Sequence, residues 1–255
     1  MSAADHAIRF ESVTKAFDGR PVLDHVSFDV PRGQACCVMG RSGSGKSVTL
    51  KLLLGLLKPD EGRIYVNGVE IEALDSAGLV EVRKTIGFLF QYSALFDSIS
   101  VADNVAFPLR RHTRMSKTEI ETCVRERLAA VGLEDELDSM PLDLSGGMRK
   151  RVGLARALAL QPSILLVDEP SSGLDPITTR EIDTLLKDLK TSGKTTMVVV
   201  THDVSSARRI SDKVVLLHQG HILAEGTTAE LDRNPNDVVQ QFMKSAEEVE
   251  LAIQE

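Results

Sequence analysis

The sequence predicts an α/β fold: a mainly parallel sheet flanked by helices, an antiparallel β edge ahead of it and a helical subdomain inserted within it. Three observations lead there. The stretches 35–39, 164–167 and 195–201 are largely aliphatic runs without polar alternation, as in strands buried on both faces. Segments rich in β-formers flank Asp18-Gly19 and Asn67-Gly68, dipeptides that close two-residue hairpins. From residue 92 to about 160, apolar residues such as Ile120, Val124, Leu128 and Val131 recur at helical spacing, and strand signals almost vanish.

In chain order, 8–13 and 26–30 are expected to form an antiparallel piece around the Asp18-Gly19 turn. Phe17 sits in that turn region. With Val22 it could wall a nucleotide base, or it could be a core phenylalanine; the sequence leaves both open. The strand at 35–39 then runs into Gly40-Arg41-Ser42-Gly43-Ser44-Gly45-Lys46-Ser47, which meets G-x-x-x-x-G-K-[ST] at every fixed position, and 48–57 reads as a helix. Strand, glycine-rich loop and helix in that order make a phosphate cradle. Gly40, Gly43 and Gly45 let the backbone curl so that successive N–H groups point inward, with Ser42, Ser44 and Val48 in or beside the loop. The following helix presents its positive end to the anion. Lys46 should reach the β- and γ-phosphates and Ser47 should offer its hydroxyl to Mg²⁺.

Asn67-Gly68 joins short strands at 63–66 and 69–71, extending the antiparallel edge. The run 86–91 reads as a buried strand ending in Gln91, a polar residue where ligands meet strand ends. Within the helical insert, Arg110, Arg111, His112 and Arg114 read as a solvated loop rather than a nucleic-acid contact. Leu144-Ser145-Gly146-Gly147-Met148 precedes an amphipathic helix at 149–160, whose first turn is open to an anion. The strand at 164–167 ends in Asp168 and Glu169, a metal-directed acid and a base at a strand tip. Pro176, after the loop Ser172-Gly173-Leu174-Asp175, is suited to open the next helix.

The strand at 195–201 delivers His202 at the sheet edge that also carries the phosphate loop, which favours a catalytic role. His6, His25, His112, His218 and His221 lack that placement and read as surface or packing residues. A hairpin at 214–217 and 221–224 and a short helix at 227–232 follow. From Pro235 a tail carries Val238, Val239, Phe242, Met243 and Ala246 at helical spacing, a stripe expected to pack on the chain's own core.

Composition narrows the classes. A chain of 255 residues, 42% hydrophobic, can bury a large core. Its 30 basic and 37 acidic residues give a net charge of −7, against a protein that coats nucleic acid, so no nucleic-acid partner is expected. No apolar run approaches the ~18 residues of a membrane span, and the first nine residues lack the pattern of a signal peptide, which points to the cytosol. Three cysteines, two of them adjacent, suit packing rather than disulfides or zinc.

With these motifs in this order, residues 7 to 245 resemble the nucleotide-binding subunit of an ATP-binding cassette (ABC) transporter. The resemblance implies a P-loop NTPase (RecA-like) core as an ABC nucleotide-binding domain over 1–234, with 92–160 as its helical subdomain and 235–255 as a helical tail. It places Phe17 at the adenine-stacking position, Gly40–Ser47 at the phosphate loop and Gln91 at the Q-loop. Ser145 and Gly147 fall in the signature, Asp168 and Glu169 in the Walker B pair, Ser172–Asp175 in the D-loop, and His202 at the switch histidine. ATP and Mg²⁺ are the implied cofactors, with Ser47, Gln91 and Asp168 toward the metal and Glu169, His202 and Gln91 toward the chemistry. A second copy would join head to tail, its Ser145 and Gly147 closing over the phosphates.

Two positions depart from the family pattern: Met148 stands where glutamine is usual, and Val48 where threonine is frequent. Ser-Gly-Gly-Met-Arg-Lys-Arg, with the stretches 90–96 and 104–110, resembles the Mla/Mce group of phospholipid transporters. That likeness implies a multi-spanning permease, an Mce-domain lipid-binding protein and a place on the cytoplasmic face of the bacterial inner membrane. The competing readings are another ABC system (a polar-solute importer or lipoprotein release), a soluble non-transport ABC ATPase, or a nucleotide sensor. The presence of Glu169 argues against the last.

Overall fold

The structure, a computed structural model, describes residues 5–191, 193 and 195–252, the side chains of 245–252 excepted. The chain opens with a long hairpin, β1 (His6–Phe17) and β2 (Arg20–Pro31). Asp18 and Gly19 both take left-handed backbone, φ 50° and 74°, as a two-residue turn between right-twisted strands requires. Residues 8–13 and 26–30 are thus parts of longer strands, which continue through half-exposed residues to the turn. β4 (Glu61–Val66) pairs with the free side of β1 and turns through Asn67-Gly68 into β5 (Val69–Glu70), giving the order β2-β1-β4-β5.

The second sheet has the order β10-β9-β3-β8-β7-β6. β3 (Ala35–Gly40), β8 (Thr196–Thr201), β7 (Ile164–Asp168) and β6 (Ile86–Leu89) run parallel, as does β9 (Lys213–His218); β10 (His221–Gly226) returns antiparallel. Every residue of β3 and β8 is buried, which explains their unbroken apolar character. Successive residues of β3 alternate between two cores. Ala35, Cys37 and Met39 join one with α3 (Val101–His112), α4 (Lys117–Ala129), α5 (Gly146–Ala157), α6 (Pro176–Thr191) and α7 (Val204–Ile210). Cys36 and Val38 face the other, built from α1 (Lys46–Leu53) and the antiparallel sheet, where Phe10 and Phe28 stack with centroids 4.6 Å apart.

The three cysteines are free and buried. Burial pushes the Cys36 thiol up to about 12, and Cys37 upward too, so both pack as small apolar groups.

Two sequence expectations need correction. Arg110, Arg111 and His112 form the last turn of α3 rather than a loop: the helix runs through Pro108, and Arg110 pairs with Asp103 two turns back at 2.8 Å. The helix expected at 149–160 begins earlier, at Gly146, because Ser145 is its N-cap and accepts from Met148 N at 3.2 Å. A further helix, α2 (Ser76–Lys84), was not anticipated; Asp75 caps it and none of its residues is buried. After α8 (Thr228–Leu231), α9 (Asp237–Ala252) lays Val239 and Met243 into the helical-side core, with Phe242 packed against it. The side chain of Ala246, the last of the expected stripe, lies outside the described residues.

Candidate active site

β3, β8, β7 and β6 are neighbours and parallel, so their carboxyl ends form one edge. The residues just past those ends are Gly40–Ser47, His202, Glu169 and Gln91. Residues scattered over 160 positions therefore meet because of strand order, as at ligand sites of open α/β sheets.

The loop needs glycine at two positions for stated reasons. At Gly40 (φ 152°) a Cβ would run into the carbonyl of Leu217 on the adjacent strand. At Gly45 (φ 103°) it would lie 2.6 Å from Leu23 Cδ2 and 2.9 Å from the carbonyl of Val22, so the loop could not pass under the β2 edge. α1 starts at Lys46, directly after this turn.

Lys46 is buried, its Nζ donating to the carbonyls of Gly40 at 2.8 Å and Arg41 at 3.2 Å and standing 3.9 Å from Glu169 Oε1. Burial holds its pKa below the ordinary lysine value, with Glu169 and Asp168 pulling the other way. Glu169 is itself buried and takes left-handed backbone (φ 45°) just beyond β7. Its Oε2 lies 2.9 Å from His202 Nδ1. Asp168, one residue earlier, has its pKa raised by burial and by Glu169, against the cations Lys46, Lys51 and Lys150. Gln91 Nε2 donates to Ser172 Oγ at 3.1 Å, joining the β6 end to the loop after β7.

Lys46, Gln91, Glu169 and His202 open onto one cleft of about 1130 Å³, whose lining does not include Asp168. Phe17, Val22, Ser42, Gly43, Gly45, Lys46, Ser47, Val48, Gln91, Glu169 and His202 all line it. Phe17, 42% exposed, is no core residue; its ring faces the cleft with Lys15 Nζ 5.5 Å from the centroid, that ammonium being held by Asp60 at 2.8 Å. Of the remaining expected site residues, Gly40 lies beneath the loop, Ser44 is buried with its hydroxyl unpartnered, and Asp168 has a buried, unpartnered Oδ1. Ser145 and Gly147 are not brought to this cleft. They form the exposed cap and buried first turn of α5, where a Cβ on Gly147 would strike Thr178.

The sequence reading missed one wall. Leu216, Leu217 and His218 from β9, Leu223 from β10, and Val238, Gln241 and Phe242 from α9 also line the cleft. His218, expected at the surface or in packing, is a cleft residue instead. Its position follows from the pairing of Leu217 with Gly40, which brings the end of β9 beside the phosphate loop.

A phosphate loop faced by a buried carboxylate and a histidine from adjoining strand ends defines the class of nucleotide-hydrolysing P-loop proteins. Comparison with known proteins makes the class specific. Residues 23–172 match the family model described as ABC transporter. The chain is 42% identical over 237 residues to a probable ribonucleotide transport ATP-binding protein, mkl, of Mycobacterium leprae, covering 93% of this chain and 68% of that one. It is 42% identical over 224 residues to the intermembrane phospholipid transport system ATP-binding protein MlaF of Escherichia coli K12, covering 88% and 83%. With MlaF of Haemophilus influenzae the figures are 40% over 237 residues, 93% and 90%. Among solved structures, the ATP-binding cassette MJ0796, dimeric in a post-hydrolysis state with ADP and Pi, superposes with a TM-score of 0.79 at 35% identity, covering 86% of this chain and 98% of that one. The chain belongs to the ABC transporter family, and it is an ATPase.

Proposed function

We propose that this chain powers phospholipid movement across the bacterial envelope by hydrolysing Mg²⁺-ATP in the cleft at the carboxyl ends of β3, β8 and β7. The observation that carries the ATPase reading is the meeting of Lys46, Glu169 and His202 within hydrogen-bonding and ion-pair reach at the phosphate loop. Phe17 and Val22 flank the base, the backbone of 40–48 cradles the phosphates, Lys46 holds the β- and γ-phosphates, Glu169 orients or deprotonates the attacking water, and His202 steadies the γ-phosphate.

The metal fits the donors present. Asp168 Oδ1 is buried without a protein partner, and Ser47 is exposed at the cleft mouth. Among the described residues, no group of three or more His, Cys, Asp or Glu could cage an ion. Phosphate and water would supply most of the ligands, as Mg²⁺ favours, with Ser47, Asp168 and Gln91 completing the shell. Bound there, Mg²⁺ neutralises charge on the transferring phosphoryl group.

Residues 1–234 act as the cassette, with 92–160 as its helical subdomain and 235–255 as its tail. Because Ser145 and Gly147 do not line the cleft of their own chain, they serve the cleft of a second copy joined head to tail. Among the described residues no helix is long and apolar enough to cross a membrane, so cargo specificity lies in partners. Those partners are a multi-spanning permease in the inner membrane, with this chain on its cytoplasmic face, and an Mce-domain lipid-binding protein beyond it. Support for phospholipid comes from MlaF relatives of two organisms matched over 83% and 90% of their lengths, against 68% of the mycobacterial relative named for ribonucleotides.

Reconstitution of the complex between lipid-loaded and empty carriers tests the cargo. Labelled phospholipid transfer should require ATP and fall to background with Glu169→Gln. Equal transfer by both proteins, or ATP-driven movement of ribonucleotide instead of lipid, rejects the phospholipid reading.

A further inference from the structure

One buried cation near the cleft has no part in the scheme above. Lys150, on α5, is 4% exposed, and its Nζ donates to the carbonyl oxygens of Glu169 at 2.9 Å and Pro170 at 2.6 Å. Glu169 at this point holds left-handed backbone, φ 45°, a conformation that costs a non-glycine residue free energy unless its surroundings enforce it. Among the described residues, few contacts hold its main chain. Glu169 N donates to Val200 O at 2.8 Å and Ser172 N reaches Glu169 O at 3.2 Å, so the ammonium is the charged member of the set. Burial lowers the Lys150 pKa to about 8, against the pull of Glu169 and Asp168, so the cation is kept here at a cost in desolvation. An apolar residue of similar length would avoid that desolvation, so stability alone is a poor reason for a lysine.

We propose that Lys150 is a positioning residue, which ties α5 to the backbone of Glu169 and so aims the carboxylate at the cleft beside His202. Because Ser145 caps the same helix, contact made at the start of α5 by a second subunit reaches Glu169 of the chain that owns the helix through one rigid element. This rests on Glu169 being the base proposed above. It adds a route by which occupancy of one composite site sets the geometry of the other.

The test compares Lys150→Met, Lys150→Arg and Glu169→Gln in the assembled transport complex, measuring kcat, KM and equilibrium ATP affinity. Lys150→Met keeps the length and removes the donor. Its kcat should fall roughly 10- to 100-fold while ATP affinity stays within about twofold, because the carboxylate is misaimed but the phosphate loop is untouched. Lys150→Arg retains charge and donors and should restore kcat to at least about a third of the original value. A Lys150→Met enzyme with unchanged kcat, or one whose affinity falls as far as its kcat, overturns the proposal. If Lys150→Met does not fold, the arginine variant decides: folded, ATP-binding and inactive protein overturns it, and active protein supports it. Retained turnover by Glu169→Gln strikes instead at the underlying assignment of the base, so the two failures are told apart.

Discussion

Glu169→Gln is expected to leave the protein folded and able to bind ATP, with kcat lowered about 100- to 10,000-fold, the range for loss of a general base. The exchange keeps the shape of a buried side chain, and an amide can still bond His202, whose Nδ1 stands 2.9 Å from Oε2. What goes is the negative charge that accepts a proton from water. Lys46, 3.9 Å from Oε1, loses an ionic neighbour but keeps its bonds to the carbonyls of Gly40 and Arg41, so the phosphate loop holds its form. Phosphate release and equilibrium ATP binding, measured side by side, separate the two functions. Turnover within about threefold of the unmodified enzyme excludes Glu169 as the base.

Lys46→Ala has the complementary expected effect. ATP affinity should fall about 10- to 100-fold, because a charge-assisted bond to phosphate contributes roughly 1.5–3 kcal/mol. The ammonium is already largely desolvated, its side chain being 9% exposed, so little further dehydration opposes its contact with phosphate. Titration with a fluorescent ATP analogue measures this directly. Unaltered affinity would remove Lys46 from the phosphate site.

The reasons these residues were legible in sequence are local. A backbone that must wrap a phosphate needs glycine where a Cβ at position 40 would collide with Leu217 O and one at position 45 with the Leu23 side chain, and those needs leave a spaced pattern. Strands buried on both faces read as aliphatic runs, and the polar residue ending each run is the one at the sheet edge. That logic reached Gln91, Glu169 and His202.

The unread parts depend on tertiary contact. The cleft wall of His218, Leu223, Gln241 and Phe242 has no motif, since it arises from β9 pairing with β3 and from α9 docking on the core. His218 is indistinguishable in sequence from the solvent-facing His221. Helix α2 was hidden because its apolar side is short: Leu79 and Val82 pack against the core only partly buried, and the clearest signal was Asp75, which accepts from Gly78 N at 2.8 Å. Asn104 was equally silent: fully buried, it bonds the backbone of Phe96 in both directions and receives Arg156 at 3.3 Å, fixing the loop before α3.

In the arrangement proposed here a working site needs two chains, the cleft of one and the α5 start of the other. Linked dimers carrying Lys46→Ala and Ser145→Arg in two arrangements test it, with trapped nucleotide as the readout. One lesion on each chain puts both in a single composite site and leaves the other intact. Both lesions on one chain, opposite an unmodified partner, damage each composite site once. If the site is shared, the first arrangement traps nucleotide and the second does not; trapping by the second and not the first would show that each chain completes its own site.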